Sequence, residues 1–371
     1  MFPRLRRLSR LFSTSTATLN PNPKPETLST SINNLFNERN LERFVSSFKL
    51  SSNSYRFRCR HRIFDTRHSS VKEILDFQKQ FTDDFKREGS GIRLISLYGK
   101  ARMVDEAQRT FDELEDLGCP RSVKSFNALL TVFVECGEFD RVLKAVEELP
   151  ESLSLNGISY NILIKANCAK GELDAAVEVL DVMEQNGFSP CLVSYNTLLN
   201  AFYGNSRFSD AEKIWDRMVK EKIEPDTKSF NAKMLGLVSE GKTADAIKLA
   251  DELKRLKLKP NTFTFNTLIK AFCKDGNLEE AKKIYVNLTK NDCAPSRGTF
   301  DVLIPSLCKT GELDTALKLC NENMSRRRLV DAPILQEVIN GLVKGSSMEK
   351  AKKLVDLARQ NGYSKKNVRM P

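Results

Sequence analysis

The chain has little from which to build an acid–base or metal site. Only two histidines occur among 371 residues, His61 and His68, both inside the stretch CRHRIFDTRH. A Ser-His-Asp triad, a histidine base deep in a pocket and a His-rich zinc centre therefore have almost no material. Nine cysteines are present, yet no two are spaced as C-x2-C, and the H-x-E and P-C-x-x-C elements of a zinc deaminase are missing. There is no G-x-x-x-x-G-K-[ST] phosphate loop, and GSGIRL from Gly89 lacks the last glycine of G-x-G-x-x-G. No apolar run approaches the roughly 18 residues of a membrane helix. These gaps lead us to expect a soluble chain without enzymatic activity, cofactor, metal, small-molecule substrate or membrane partner.

What the sequence does have is repetition. SFNALLTVF from Ser125 returns as SYNILIKAN from Ser159, SYNTLLNAF from Ser194, SFNAKMLGL from Ser229, TFNTLIKAF from Thr264 and TFDVLIPSL from Thr299. The aromatics Phe126, Tyr160, Tyr195, Phe230, Phe265 and Phe300 are separated by 34, 35, 35, 35 and 35 residues, a period that marks stacked units. A second landmark keeps the same beat. Gly137, Gly171, Gly241, Gly276 and Gly311 each follow an aromatic by eleven residues, with Ser206 in that place in the fourth unit.

Within one period, Phe265, Leu268, Ile269 and Phe272 fall at i, i+3, i+4 and i+7, the apolar face of a helix, and Gly276 suits its left-handed cap. Asn277 can cap a second helix, with Glu280 three residues on. Leu278, Ala281, Ile284, Tyr285 and Leu288 trace that second helix, which stops before Pro295. Each unit reads as two antiparallel helices, and the fold class as all-α. Cys168, Cys273 and Cys308 occupy one repeat position and read as buried small hydrophobes.

The formal charge of +11 points to an anionic partner. Part of it belongs to an N-terminal segment of different character. Residues 1–25 hold Arg4, Arg6, Arg7, Arg10 and Lys24, no acid, and a Ser/Thr cluster from Ser13 to Thr18, which is the composition of a mitochondrial transit peptide. Arg10-Leu11-Phe12 before Ser13 resembles a plant mitochondrial processing site, and cleavage there lowers the charge to about +7. A matrix location is the resulting expectation.

Units such as SYNTLLNAFYGNSRFSDAEKIWDRMVKEKIEPD resemble pentatricopeptide repeats of the pure, P-type kind, from about Glu88 to Lys366. Tetratricopeptide units have a similar helix pair but expect a W-x2-L-G-x2-Y core at a period of about 34. The resemblance implies an α-solenoid superhelix of about eight units starting at Glu88, Val123, Gly157, Leu192, Thr227, Thr262, Arg297 and Ala332. It places Ala107, Ala176, Ala211, Ala246, Ala281, Ala316 and Ala351 at one site in the second helix, where small residues let neighbours approach. The expected organisation is a transit peptide and disordered linker over 1–30, a helical capping region over 31–87 containing a degenerate helix pair, the array over 88–366, and a tail over 367–371.

The family further implies RNA binding, each unit presenting a base-reading pair made of the residue after the aromatic and the last residue of the unit. Those pairs are Asn127 with Asn156, Asn161 with Cys191, Asn196 with Asp226, Asn231 with Asn261 and Asn266 with Ser296. Most lean toward pyrimidines in the family's code. The residue after the packed aromatic lies about 100° around the helix, free to face a groove, and asparagine can both donate and accept along a base edge. Three units depart from this pattern: Ile92 with Ser122, Asp301 with Asp331, and Gln336 with Lys366. Pro305 also sits inside a first helix, where it removes a donor.

Phosphate contacts have their own candidates. Lys165 and Lys270 follow Asn161 and Asn266 by four residues on the same face, and Lys274 and Lys309 come a turn further along their helices. Arg56, Arg58, Arg60 and Arg62, and the cluster Arg326, Arg327 and Arg328, are basic patches that could grip folded RNA.

GIRLISLYGKARMVDEAQRTFDEL, CPRSVKSFNALL and LVKGSSMEKAKKL are similar to a short plant mitochondrial group within the family, accessory proteins of the mitochondrial small ribosomal subunit. The expected function is a structural component of that subunit, contacting ribosomal RNA and neighbouring proteins in support of mitochondrial translation. The alternatives are a factor that binds a single-stranded transcript for its stability or processing, and a helical scaffold for protein partners.

Overall fold

The computed structural model describes residues 72, 73, 75–77, 79, 88–150, 152–325, 330–364 and 367–371. Regular structure among them is α-helical and comes in eight pairs. The first helices are α1 (Glu88–Lys100), α3 (Val123–Cys136), α5 (Gly157–Lys170), α7 (Leu192–Gly204), α9 (Thr227–Ser239), α11 (Thr262–Lys274), α13 (Arg297–Lys309) and α15 (Ala332–Lys344). The second helices are α2 (Val104–Asp112), α4 (Phe139–Glu147), α6 (Leu173–Gln185), α8 (Phe208–Lys220), α10 (Thr243–Arg255), α12 (Leu278–Lys290), α14 (Leu313–Ser325) and α16 (Met348–Gln360). Every first helix begins at the residue where the 35-residue register starts a unit.

Two local devices fix these boundaries. Ahead of five first helices, the residues Ser122, Asn156, Asp226, Asn261 and Ser296 form capping boxes with a Ser or Thr at the third helical position. That exchange satisfies orphan donors at the helix start. At the other end, an N–H two or three residues past the helix bonds back across six residues to a carbonyl, as in Glu138 to Phe133 at 2.8 Å and Asn277 to Phe272 at 2.9 Å. This closure requires a left-handed residue, supplied by Gly137 (φ 85°) in one unit and by Ser206 (φ 59°) in another. Asn277 does cap α12, its Oδ1 accepting from Glu280 N at 3.3 Å.

The chain resolves into two compact units, one through Leu198 and one from Leu199 onward, the boundary falling within α7. In the first, α3 lies between α1 and α5, each with its second helix behind it. Phe126 stacks on Phe111 with ring centroids 5.8 Å apart, and Tyr160 on Phe188 at 5.7 Å. Leu75 is sealed in the same core, and Tyr98 donates to Asp76 at 2.5 Å.

In the second, α9, α11, α13 and α15 are successive neighbours. Trp215 meets Phe230 edge-on at 5.5 Å, and a Cβ added at Gly236 would lie 2.2 Å from the buried Tyr203 ring. Such stacking, in which each pair touches only its neighbours, is the α-solenoid principle. The seven alanines of the second helices are all 0% exposed, so the close approach expected of them is present.

Cys168, Cys273 and Cys308 are half-buried rather than sealed. Burial still pushes their thiols up, to about 12 for Cys168 and about 11 for Cys308. Pro305 does not end its helix, since α13 continues through it to Lys309. The transit segment, both histidines, Arg56, Arg58, Arg60, Arg62, Arg326, Arg327, Arg328 and Lys366 lie outside the described residues. Among the described residues, no helix is long and apolar enough to cross a membrane and no cluster of side chains could hold a metal ion.

Candidate nucleic-acid interface

The last residue of each unit turns out to be the N-cap of the next first helix, so a predicted base reader is also a structural cap. Asn156 Oδ1 accepts from the N–H groups of Ile158 and Ser159, both at 3.0 Å. Its neighbour in the pair reaches across to it: Asn127 Nδ2 donates to Asn156 Oδ1 at 3.1 Å, and Ser159 Oγ donates to Asn127 Oδ1 at 2.7 Å. One asparagine thus spans two units, tied to the cap of the next helix and to its third residue.

The triad recurs. Asn231 donates to Asn261 Oδ1 at 3.2 Å and accepts from Thr264 at 2.7 Å. Asn266 donates to Ser296 Oγ at 2.9 Å and accepts from Thr299 at 2.6 Å. Asn161 accepts from Ser194 at 2.6 Å and reaches Cys191 Sγ at 3.7 Å. Of the fifth pair, Asn196 is buried in the first compact unit, and Asp226 caps α9 in the second through Lys228 N and Ser229 N, both at 2.9 Å.

These bonds consume part of each reader's capacity. A carboxamide has two N–H donors and about two acceptor lone pairs. In the triad each asparagine spends one donor and one lone pair on its own fold; Asn161 and Asn266 are half-exposed and can offer the remainder outward, whereas Asn127 and Asn231 are buried. Asn156 and Asn261 direct their oxygens to the cap, which leaves their NH2 groups as the outward chemistry. Cys191 is exposed; burial alone would raise its thiol, but hydrogen bonds from Ser194, Val193 and Asn161 outweigh that and hold it below the ordinary cysteine range.

Lys165 and Lys270 are exposed and form no ion pair among the described residues, and the same is true of Lys309. Lys274 is exposed but engaged, donating to the carbonyls of Val238 at 3.3 Å and Ser239 at 3.1 Å at the end of α9. A cation there complements the helix C-terminus.

Family models match this chain over much of the array: the PPR repeat family at residues 190–234, 225–274 and 260–309, the pentatricopeptide repeat domain at 144–206, and a PPR repeat at 93–119. The chain belongs to the pentatricopeptide repeat family. Among Arabidopsis thaliana proteins it is similar to small ribosomal subunit protein mS78 (rPPR3a), 43% identical over 161 residues, covering 40% of each chain. It is 37% identical over 190 residues to small ribosomal subunit protein mS79 (rPPR3b), covering 48% of this chain and 47% of that one. The alignments thus span less than half the length of these relatives. Among solved structures, the maize pentatricopeptide repeat protein PPR10 superposes with a TM-score of 0.53 at 17% identity, over 90% of this chain and 56% of that one. PPR10 in complex with an 18-nt psaJ RNA element gives 0.50. At that identity the likeness concerns the fold.

In repeat register the structure adds residues that the sequence alone did not single out. Ile158, Val193 and Phe263, each three residues before a reader asparagine, are 62%, 60% and 48% exposed. Of these, Phe263 offers an aromatic face of the kind on which bases stack, and Ile158 and Val193 offer apolar contact beside a candidate reading position. Their signal was available: each falls off the buried i, i+3, i+4 face of its helix. Lys344 occupies the position of Lys274 and Lys309, and it too is exposed.

In the three departing pentatricopeptide units polar side chains bond within the chain, although Asp301 Oδ1 is buried without a hydrogen-bond partner. Ser122 donates to the Glu88 carboxylate. Arg297 bridges Asp301, at 3.5 Å, and Asp331. Gln336 bonds to the backbone of Arg369.

Proposed function

We propose that this chain is an RNA-binding component of the mitochondrial small ribosomal subunit, holding single-stranded, pyrimidine-rich ribosomal RNA at its asparagine triads. The observation that carries the reading is the recurring triad. In the units of Asn161 and Asn266 a half-exposed asparagine keeps one amide hydrogen and one lone pair, fixed in place by its own fold, whereas Asn127, Asn196 and Asn231 are buried. Each of these two follows an exposed apolar residue by three positions, Ile158 or Phe263, and precedes an unpaired lysine by one turn, Lys165 or Lys270. Bases read by donor–acceptor pairs and stacking, with cations along the phosphates, need these three elements together.

The likeness to two ribosomal small-subunit proteins, and an acid-free, arginine-rich start, support the mitochondrial and ribosomal setting. Neighbouring ribosomal proteins are the expected protein partners. Tagged protein from mitochondria, sedimented through a sucrose gradient after a high-salt wash, should comigrate with the small subunit. Recovery in light fractions with a transcript crosslinked to it would favour the transcript-binding alternative, and recovery without any crosslinked RNA would favour a protein scaffold.

A further inference from the structure

The eighth unit holds a cavity of about 440 Å³ lined by Gln336, Asn340, Asn367, Arg369 and Pro371. The chemistry at its floor is already taken. Gln336 stands at the reader position of its unit, 35 residues after Asp301 and 70 after Asn266. Its Nε2 donates to Arg369 O at 2.9 Å, its Oε1 accepts from Arg369 N at 2.9 Å, and its second amide hydrogen serves Asn340 Oδ1 at 2.8 Å. Both donors are therefore spent, whereas the half-exposed Asn161 and Asn266 upstream each keep one.

The partner also falls in register. In the triads, the reader accepts from a residue 32 or 33 positions on, the third residue of the next helix. Counting 33 from Gln336 reaches Arg369, where the backbone supplies both a donor and an acceptor to one amide. A carboxamide meeting a donor–acceptor pair in this way is the contact that Asn and Gln make with a base edge.

The tail that provides it is packed rather than draped. Val368 is 0% exposed within the core of this end of the chain, Met370 packs against that core, and the N–H groups of Asn367 and Val368 both bond to Ser364 O at 3.1 Å.

We propose that residues 367–371 occupy the reading position of the eighth unit in place of a base, closing that unit to RNA. The proposal rests on the RNA-reading function above. The test compares the full chain, a chain lacking 367–371, and Val368→Asp, which unseats the tail without touching the groove; circular dichroism verifies that each is folded. Fluorescence anisotropy measures their affinity for a pyrimidine-rich strand long enough for the upstream units, and for the same strand lengthened at either end.

The full chain should bind short and lengthened strands alike, while both tail variants should gain about tenfold on the lengthened one, a gain abolished by adding Gln336→Ala. A gain already present in the full chain, or absent from both variants, overturns the proposal. Amide hydrogen exchange without RNA gives an independent reading. Arg369 N–H should be protected in the full chain and lose that protection in Gln336→Ala, and an unprotected Arg369 overturns the tail's placement. Failure of every form to bind any strand would instead sink the RNA reading, and this proposal with it, even with Arg369 protected.

Discussion

Replacing Asn231 by alanine removes two hydrogen bonds that join one unit to the next: Nδ2 to Asn261 Oδ1 at 3.2 Å, and Thr264 Oγ1 to Oδ1 at 2.7 Å. A hydrogen bond of this kind contributes about 1 kcal/mol net. The cost would rise further if a buried donor were stranded, but the Thr264 hydroxyl has Asn261 Oδ1 as a second acceptor at 3.2 Å. Asn231→Ala should therefore lower the stability of the second compact unit by about 2 kcal/mol. The comparison is Lys270→Ala, an exposed side chain without an ion pair, expected to stay within about 0.5 kcal/mol of the parent. Urea unfolding followed by far-UV circular dichroism reads both. RNA affinity should fall in both variants, so stability is what separates a residue that holds the fold from one that serves only the ligand. An Asn231→Ala protein as stable as the parent would refute the argument that this position clamps adjacent units.

Replacing Lys165 and Lys270 together by alanine should weaken binding evenly across RNA sequences and flatten the slope of log affinity against log salt by roughly 0.7 per lysine; an unchanged slope means neither touches phosphate. Ala281→Leu, at a fully buried site between helices, should cost about 1–3 kcal/mol by overpacking, measured by the same urea titration. Burial, opposed by Arg297 and aided by Asp331, raises the Asp301 carboxyl above its ordinary value. The native state then holds that proton more tightly than the unfolded chain. Stability is lost as pH climbs from the ordinary aspartate value, about 3.9, through the raised native one, and stays lost at neutrality. Asp301→Asn should accordingly raise the urea midpoint at about pH 7 and leave it nearly unchanged at about pH 3; equal gains at both would show that titration plays no part.

Much of the fold could be read from the chain because each unit states its own boundaries. The 35-residue beat of Phe126, Tyr160 and their successors marked six of the first helices, and the family resemblance set their starting residues and extended the register to Glu88 and Ala332. The alanines announced the close helix approach by their size alone. The site was only half legible. Register paired Asn127 with Asn156, yet spacing does not say which way an amide turns, so the use of Asn156 Oδ1 as a cap emerged only from the geometry. Cysteine enclosure was overestimated because a helix face at the edge of a unit interface is only half covered. The pairing of Gln336 with Arg369 was hidden for another reason: it engages backbone groups, which carry no sequence signature.

The double duty of the residue ahead of each first helix limits what this array can be taught to recognise. Whatever is placed at Asn156, Asn261 or Ser296 to alter the preferred nucleotide must also begin a helix, and only short polar side chains do that well. A long arginine or a bulky aromatic, attractive for gripping a purine, would surrender about 1 kcal/mol at the helix start and unhook the asparagine of the preceding unit. The vocabulary open to the proposed RNA readers is set first by how their helices are started and only then by the base they would meet.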